Sequence, residues 1–236
     1  MRLELHGGEL ASAERAAMIS DAAIDAYFRD LREHPMPNRY TADLSDGFFL
    51  KLINVCEELE ASPLDMIGVM QNESGVRAAA KNPHADANGL IQFMGDTLRG
   101  LGWLTGGDAF RKLSAEEQVP FVRRYFAPHR GKLWSTGALY CATFLPALLQ
   151  HADDPNFVLC GKAGPLAWAY APNIGFDHAT PRKGTITVQD LSDAVARACT
   201  GARWNEVQDR MRQAMGLEPT PYDDVPDALD TLPEVA

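Results

Sequence analysis

The feature that most restricts the fold of this chain is a series of helix-start patterns, each followed by apolar residues at helical spacing. Ser62 precedes Pro63 and Asp65, which is the order of an N-cap, a first-turn proline and an acid at the third helical position. Two further starts have a Ser or Thr with an acid three residues later, Ser114 with Glu117 and Thr187 with Asp190. Such starts, repeated along a chain, predict a fold that is mainly α.

Other helical segments extend this pattern, and strand patterns are few. Apolar residues at helical spacing run from about Leu10 to Glu33, and they recur after Ser45, after Ser135 and in the last segment, 204–215. Pro120 should kink or delay the helix in which it lies. The short run GTITV is the best strand candidate.

The domain boundaries follow from where these patterns stop. We expect one mainly helical domain over residues 44–216, with residues 1–43 as an N-terminal helical extension packed against it. Residues 217–236 contain several prolines and acids and no base, so we expect an acidic disordered tail. Such a tail either keeps the protein soluble or serves as a docking segment.

Charge and hydropathy exclude two classes of partner. The formal net charge of −10 argues against binding to nucleic acid. No apolar run approaches the roughly 20 residues of a membrane helix, and the N-terminus has no apolar signal sequence. We therefore expect synthesis in a cytoplasm without a signal peptide and no stable membrane insertion; a monomer is the expected state.

The cysteines and histidines have no metal-site pattern. The four cysteines are far apart without a CxxC pair, and the six histidines include no HExxH. A GxSxG nucleophile segment is also missing. We expect free thiols, mostly buried, with no metal and no cofactor.

A lone acid, Glu73, ends an apolar helix in the segment 69–97, VMQNESGVRAAAKNPHADANGLIQFMGDT. On a helix that begins at Pro63, Met66, Met70 and Glu73 share one stripe, so the carboxyl group projects from the end of an apolar face. Loss of hydration there raises its pKa, and the helix C-terminus shifts it in the same direction. An acid still protonated near neutral pH can act as a general acid. The alternative is a frayed helix end with a solvated carboxylate.

The loop after Glu73 consists mainly of small and polar residues and ends in the apolar run GLIQF. Small residues let the backbone turn tightly and leave space for a ligand. Gln92 is the single polar side chain in the run. Its amide can bind a hydroxyl or amide of a substrate, or it can be a core polar group with protein partners.

Taken together, the stretch NESGVRAAAKNPHADANGLIQFMGDT resembles the catalytic segment of the lysozyme-like lytic transglycosylases. The shared pattern is a Glu-Ser pair, a variable loop that ends in small residues, a Gly-Leu-x-Gln-Phe run and a Thr shortly after it. The later segments LYCATFLPALL and AWAYAPNIGFD also resemble parts of the phage-type members. The resemblance spans roughly residues 44–198.

This resemblance implies a lysozyme-like helical domain with a substrate groove. The implied substrate is peptidoglycan, whose glycan strands are cut at the β-1,4 bond between N-acetylmuramic acid and N-acetylglucosamine. Glu73 is the implied catalytic residue. The implied substrate-binding residues are Ser74, Gln92, Phe93, Tyr140, Tyr170 and Asn173. Tyr170 matches the Tyr of an Ala-Tyr-Asn element, but this chain has AYAPN, which displaces Asn173 from the usual spacing.

One carboxylate can suffice for this reaction, although most glycosidases use two. The resemblance implies that Glu73 protonates the glycosidic oxygen and then takes the proton of the sugar's own 6-hydroxyl group, which closes a 1,6-anhydro ring. Asp86 lies in the loop where a goose-type lysozyme has a second acid, so it could activate water and make the protein a hydrolytic lysozyme. Against this role, the residues around Asp86 are typical of a loop, where an Asp usually makes a side-chain-to-backbone turn.

Three weaker patterns remain. Residues 177–191 resemble an EF-hand loop, but Ala179, Pro181 and Lys183 stand where calcium ligands would be, so we do not expect calcium. The four tryptophans could stack on sugar faces or pack in the core, and Trp168, two residues from Tyr170, is the best candidate for stacking. A basic cluster could bind carboxylates of the cell wall or be an ordinary solvated face; it comprises Arg111, Lys112, Arg123, Arg124, Arg130 and Lys132.

Three functions are compatible with these residues. The first is an enzyme that cleaves peptidoglycan at the cell wall, in the periplasm, as a phage endolysin or a virion-associated enzyme. The second is a non-catalytic module that binds the cell wall or builds the virion. The third is an interbacterial effector with the same chemistry, delivered by a secretion system.

Overall fold

The computed structural model of this chain describes residues 39–217. Most of the expected N-terminal extension, residues 1–38, and the expected acidic tail from residue 218 onward lie outside the described residues. Over 39–217 the fold is mainly helical, as the sequence predicts. No helix in this range is both long enough and apolar enough to cross a membrane.

The described range contains nine α-helices and two small antiparallel sheets. The helices are α1 (Asp46–Leu59), α2 (Pro63–Ser74), α3 (Gly95–Gly100), α4 (Gly107–Phe110), α5 (Ala115–Phe126), α6 (Thr136–Phe144), α7 (Ala167–Tyr170), α8 (Val188–Ala198) and α9 (Gly201–Ala214). The strands are β1 (Ala87–Asn88), paired with β2 (Phe93–Met94), and β3 (Val158–Gly161), paired with β4 (Thr185–Thr187). Short 3-10 helices cover Ala127–His129, Pro146–His151 and Ala171–Phe176.

The predicted helix starts are confirmed. Ser62 caps α2, since its hydroxyl oxygen accepts a hydrogen bond from the Asp65 amide at 3.2 Å. Both predicted capping boxes form, at the start of α5 and at the start of α8. Helix α5 begins at its capping box and continues through Pro120, so the expected delay does not occur.

Helix α2 is the central element of the core. It packs against α1, α6, α8 and α9, and Met66, Ile67, Val69 and Met70 on it are fully buried. Gly68 brings α8 close, because a β-carbon there would lie only 3.1 Å from Val195 Cγ1. The helix that carries Glu73 is therefore held on several sides.

Of the four strands in these two sheets, the sequence predicts one. Residues of GTITV form β4, as predicted, but its partner β3 was not predicted. The β1–β2 hairpin was not predicted either; it pairs Ala87 with Met94 and Asn88 with Phe93. The hairpin matters for the site because the GLIQF run forms its turn and its second strand.

The four cysteines are free thiols. Three are buried and Cys199 is half-buried. This confirms the prediction for these residues.

Candidate active site

A cavity of about 730 Å³ opens at the C-terminal end of α2. Its walls come from the β1–β2 hairpin, α5, α6 and the segment 168–176. The side chains that line it include Glu73, His84, Gln92, Phe93, Tyr125, Tyr140, Trp168 and Asn173. Pockets that bind small molecules commonly have such a volume and such a mixture of aromatic and polar groups.

Glu73 stands in the last turn of α2 because the helix ends directly after it. Gly75 adopts a left-handed conformation with φ 63°, and its amide donates to the Gln71 carbonyl at 2.9 Å. Arg203 on α9 donates from Nε to the Gly75 carbonyl at 3.0 Å and from Nη2 to the Val76 carbonyl at 2.9 Å. The backbone beside Glu73 is thus anchored by a helix far away in the chain.

The carboxyl group of Glu73 is half-buried, and this position changes its acidity. Burial raises its pKa from 4.5 to about 7, and a hydrogen bond from the Tyr140 hydroxyl opposes the rise. The Tyr140 oxygen in turn accepts a hydrogen bond from Asn72 Nδ2. The predicted direction of the pKa shift is confirmed, with loss of hydration as its main cause.

Tyr140 and Tyr125 face the acid from two different helices. Burial and the nearby Glu73 raise the pKa of Tyr140 well above its ordinary value, so its hydroxyl stays protonated and can donate. The Tyr125 hydroxyl donates to the Ala142 carbonyl at 3.3 Å. Sequence analysis did not single out Tyr125, although helical spacing from the buried Gln118 and Val122 places it on the inner face of α5.

Gln92 and Phe93 reach the cavity from the hairpin. Gln92 has φ 53°, a left-handed conformation that is uncommon for a residue with a side chain. Its Nε2 donates to the Gly89 carbonyl at 3.0 Å, which leaves the amide oxygen without a partner in the turn. Phe93 is buried and packs edge-to-face on Phe110 and Tyr125.

The turn that carries Gln92 is organised by a buried glutamine of α5. Gln118 Oε1 accepts from the Leu90 amide at 3.0 Å, and its Nε2 donates to the Ala78 carbonyl at 2.9 Å. Gly89 has φ 75°, and a β-carbon on it would lie 2.3 Å from Gln118 Oε1. Gln118 was also missed by sequence analysis, because nothing in the local pattern of α5 points to a loop in another part of the chain.

The segment 168–176 supplies the opposite wall. Trp168 is 69% exposed and lines the cavity. Asn173 also lines it, while its Nδ2 donates to the Ala169 carbonyl at 2.9 Å. The exposed indole is placed where a flat apolar face of a ligand could stack.

Two of the predicted substrate-binding residues lie outside the cavity lining. The Ser74 hydroxyl bonds to the backbone, 2.8 Å from the Leu90 carbonyl and 3.0 Å from the Met70 carbonyl. Tyr170 is buried and donates to Asp177 Oδ2 at 2.8 Å. Each hydroxyl group therefore stabilises a segment whose neighbouring residues line the cavity.

Asp86, the predicted second carboxylate, also lies outside the lining. Its Oδ1 accepts from Asn88 Nδ2 at 3.0 Å. Its Oδ2 lies against Gly95, only 2.0 Å from where a β-carbon on that residue would stand. Among residues 39–217, Glu73 is the only carboxylate that lines the cavity.

In the EF-hand-like segment, residues 177–191, a lysine side chain pairs with one of the acids. Lys183 Nζ lies 2.7 Å from both carboxylate oxygens of Asp190. The carboxylate of Asp177 accepts from the amides of Lys183 and Gly184 at 3.1 and 2.7 Å. Within the described range, no group of three or more His, Cys, Asp or Glu side chains is arranged to hold a metal ion.

All four arginines of the basic cluster have partners in the protein. Arg111 pairs with Asp108, Arg123 with Glu58 and Arg130 with Glu60. Arg124 donates to the Leu101 carbonyl at 2.8 Å and lies over the Phe121 ring. These contacts favour the interpretation of the cluster as a solvated, ion-paired face.

The chain matches no protein-family model and no curated protein.

Proposed function

We propose that this chain is a lysozyme-like lytic transglycosylase that cleaves the glycan strands of peptidoglycan, with Glu73 as its acid and base. The observation that carries the proposal is that, among residues 39–217, one carboxyl group lines the cavity of about 730 Å³, and its pKa is about 7. The resemblance around Glu73 and Gln92 supplies the substrate class. Its site of action is the bacterial cell wall, as for a phage lysis enzyme, a virion enzyme or a secreted effector.

The pKa of Glu73 suits both halves of this reaction. Near pH 7 a large fraction of the carboxyl groups is protonated and can donate the proton to the departing glycosidic oxygen as the bond breaks. The carboxylate that forms keeps the hydrogen bond from Tyr140. It can then accept the proton of the 6-hydroxyl group while that oxygen bonds to the anomeric carbon, so the proton lost in the first half is regained in the second.

The cavity walls supply groups suited to a sugar chain. Trp168 offers an exposed aromatic face, and Gln92 and Asn173 offer amide groups for hydroxyl and acetamido substituents. Phe93 and Tyr125 form an apolar floor beside the acid. A few polar groups among aromatic side chains are the usual composition of a site that orients a ligand.

The position of Asp86 favours the transglycosylase over the hydrolase. A second carboxylate that activates water must face the scissile bond across the site, several Å from the acid. Asp86 instead bonds to Asn88 and packs on Gly95. Ring closure by the substrate's own hydroxyl group needs no such residue.

The proposal is tested with purified peptidoglycan sacculi and mass analysis of the soluble products. We expect 1,6-anhydro muropeptides from the wild-type protein and none from Glu73→Gln, whose fold is checked by circular dichroism. Asp86→Asn is the matched control and should keep the same products.

Other products would replace this proposal with one of the alternatives. Reducing-end muropeptides whose release depends on Asp86 would indicate a hydrolytic lysozyme. Binding to sacculi without any release, unchanged in Glu73→Gln, would indicate a non-catalytic wall-binding module.

A further inference from the structure

A second cavity of about 490 Å³ adjoins the first. Pro172, Asn173 and Phe176 line both, so the 3-10 segment Ala171–Phe176 forms a common wall. The lining of the second cavity is completed by Asn72, Gly175, His178, Ala194, Arg197 and Ala198. A group attached to a ligand in the first cavity therefore needs to cross only this shared segment to reach the second cavity.

The second cavity has a cation and no acid among its described lining residues. Arg197 stands in the last turn of α8 and is exposed. No described residue forms a hydrogen bond or an ion pair with its guanidinium group, whereas Arg111, Arg123 and Arg130 are each paired with an acid. Arg197 is thus available to a ligand.

The remaining lining fits a short peptide. His178 is exposed and can exchange hydrogen bonds with amide groups. Pro172, Ala194 and Ala198 provide small apolar surfaces for methyl groups. A guanidinium group can bind a carboxylate through two parallel hydrogen bonds, which are stronger than hydrogen bonds between neutral groups and fix the orientation of the ligand.

We propose that the second cavity binds the peptide stem of peptidoglycan, with Arg197 taking a stem carboxylate while the glycan occupies the first cavity. This inference rests on the proposed function and deepens it. The stem leaves the muramic acid residue through its lactyl group and carries both carboxylates and alanine methyl groups. Its chemistry therefore matches the cation and the small apolar surfaces across the shared wall.

The test compares two substrates, intact sacculi and sacculi from which an amidase has removed the stems. We expect Arg197→Ala to lower kcat/KM on intact sacculi about tenfold or more, the loss of a hydrogen bond to a charged group. On stripped glycan strands the same variant should equal the wild type. Arg197→Lys should recover part of the loss, because it keeps the charge but not the paired hydrogen bonds.

Arg130→Ala is the matched control, since it removes an exposed arginine that pairs with Glu60 and lines neither cavity. It should leave both rates unchanged. Asn72 is not used for the test because it also supports Tyr140.

The outcomes separate this inference from the proposed function. If Arg197→Ala lowers both rates equally, or lowers neither, the stem site is refuted while the proposed function stands. If the wild-type protein cleaves neither substrate, the proposed function fails and this inference fails with it.

Discussion

At the scale of single residues, the acidity of Glu73 depends on two opposing contributions. Burial stabilises the protonated form, and the hydrogen bond from Tyr140 stabilises the ionised form. Each contribution comes from a different part of the chain: the burial from the packing around α2 and the hydrogen bond from α6. Each can therefore be altered separately by substitution.

Tyr140→Phe should move the alkaline limb of the pH–rate profile to higher pH. Without the hydroxyl the Glu73 carboxylate loses a donor, so its pKa rises further. At the optimum we expect the rate to fall about tenfold, the equivalent of one hydrogen bond to a charged group. The pH dependence of sacculus digestion gives both quantities.

Tyr125→Phe is the control for this experiment. It removes a hydroxyl group from the same cavity, but that group donates to backbone carbonyls. An equal displacement of the pH profile in both variants would mean that the Tyr140 hydrogen bond does not control the acid.

Glu73 should also make the stability of the protein depend on pH. Its pKa is about 7 in the folded state and 4.5 as the ordinary value. Between these values the folded state keeps a proton that the unfolded state releases, so this contribution to stability is present below pH 4.5 and is lost as pH rises through 7. Glu73→Gln removes the cost of ionisation in the folded state at high pH.

Melting temperatures at pH 4 and pH 8 measure this effect. The Tm of Glu73→Gln minus that of the wild type should be larger at pH 8 than at pH 4 by roughly 6–12 °C, because a pKa rise from 4.5 to about 7 corresponds to about 3 kcal/mol. A difference that is the same at both pH values would show that the carboxyl group ionises in the folded state as freely as in the unfolded chain.

At the scale of structural elements, the β1–β2 hairpin shows how local conformation and distant contacts combine. The GLIQF run needs a left-handed Gly89 to turn, a left-handed Gln92 to present its side chain, and Gln118 of α5 to hold the turn. The hydrophobic pattern of the run gives no indication of a turn. The hairpin was therefore missed by sequence analysis, although its residues were recognised as part of the candidate site.

Gly89→Ala should destabilise the domain by about 2 kcal/mol, because a side chain disfavours the left-handed conformation and the new β-carbon collides with Gln118. The free energy of unfolding in urea measures this loss. Activity should fall as well, since Gln92 and Phe93 follow in the same turn.

Gly100→Ala is the matched control, because a β-carbon there meets nothing within 4 Å. Its position at the end of α3 accepts alanine, and it should stabilise the protein by about 0.5–1 kcal/mol. Equal stability of Gly89→Ala and the wild type would show that the turn relaxes without cost.

At the scale of the whole molecule, α9 joins the two ends of the described chain. Glu206 accepts hydrogen bonds from the Tyr40 and Thr41 amides, both at 3.1 Å. Arg210 donates to the Thr41 carbonyl at 3.1 Å and to Asp46 at 2.7 Å, and it stacks on a core phenylalanine. The residues just before α1 are thereby part of the folded domain.

Arg210→Ala should destabilise the protein by about 3 kcal/mol, since it leaves buried polar groups without their charged partner. That loss corresponds to roughly 6–12 °C in Tm for a domain of this size. Calorimetry measures it, and Arg123→Ala, which breaks an exposed ion pair, should change Tm little. A similar small change in both variants would show that the network on α9 is dispensable.

The sequence by itself determined the longer helices and the direction of the Glu73 pKa shift. N-caps and capping boxes join residues only three positions apart, so the starts of α2, α5 and α8 can be derived locally. The same holds for Glu73, because a helix from Pro63 necessarily places it after Met66 and Met70 on one stripe. Burial of that stripe accounts for the direction of its pKa shift.

Only the tertiary structure decided which side chains share the cavity with Glu73. Tyr125 lines it although no motif contains it, while Ser74, Asp86 and Tyr170 lie outside the lining although each belongs to a recognised pattern. Whether a side chain lines a cavity depends on how distant elements pack, and that packing is the sum of contacts between residues far apart in the chain. Periodicity shows which face of a helix is buried, but it does not show which other element that face meets.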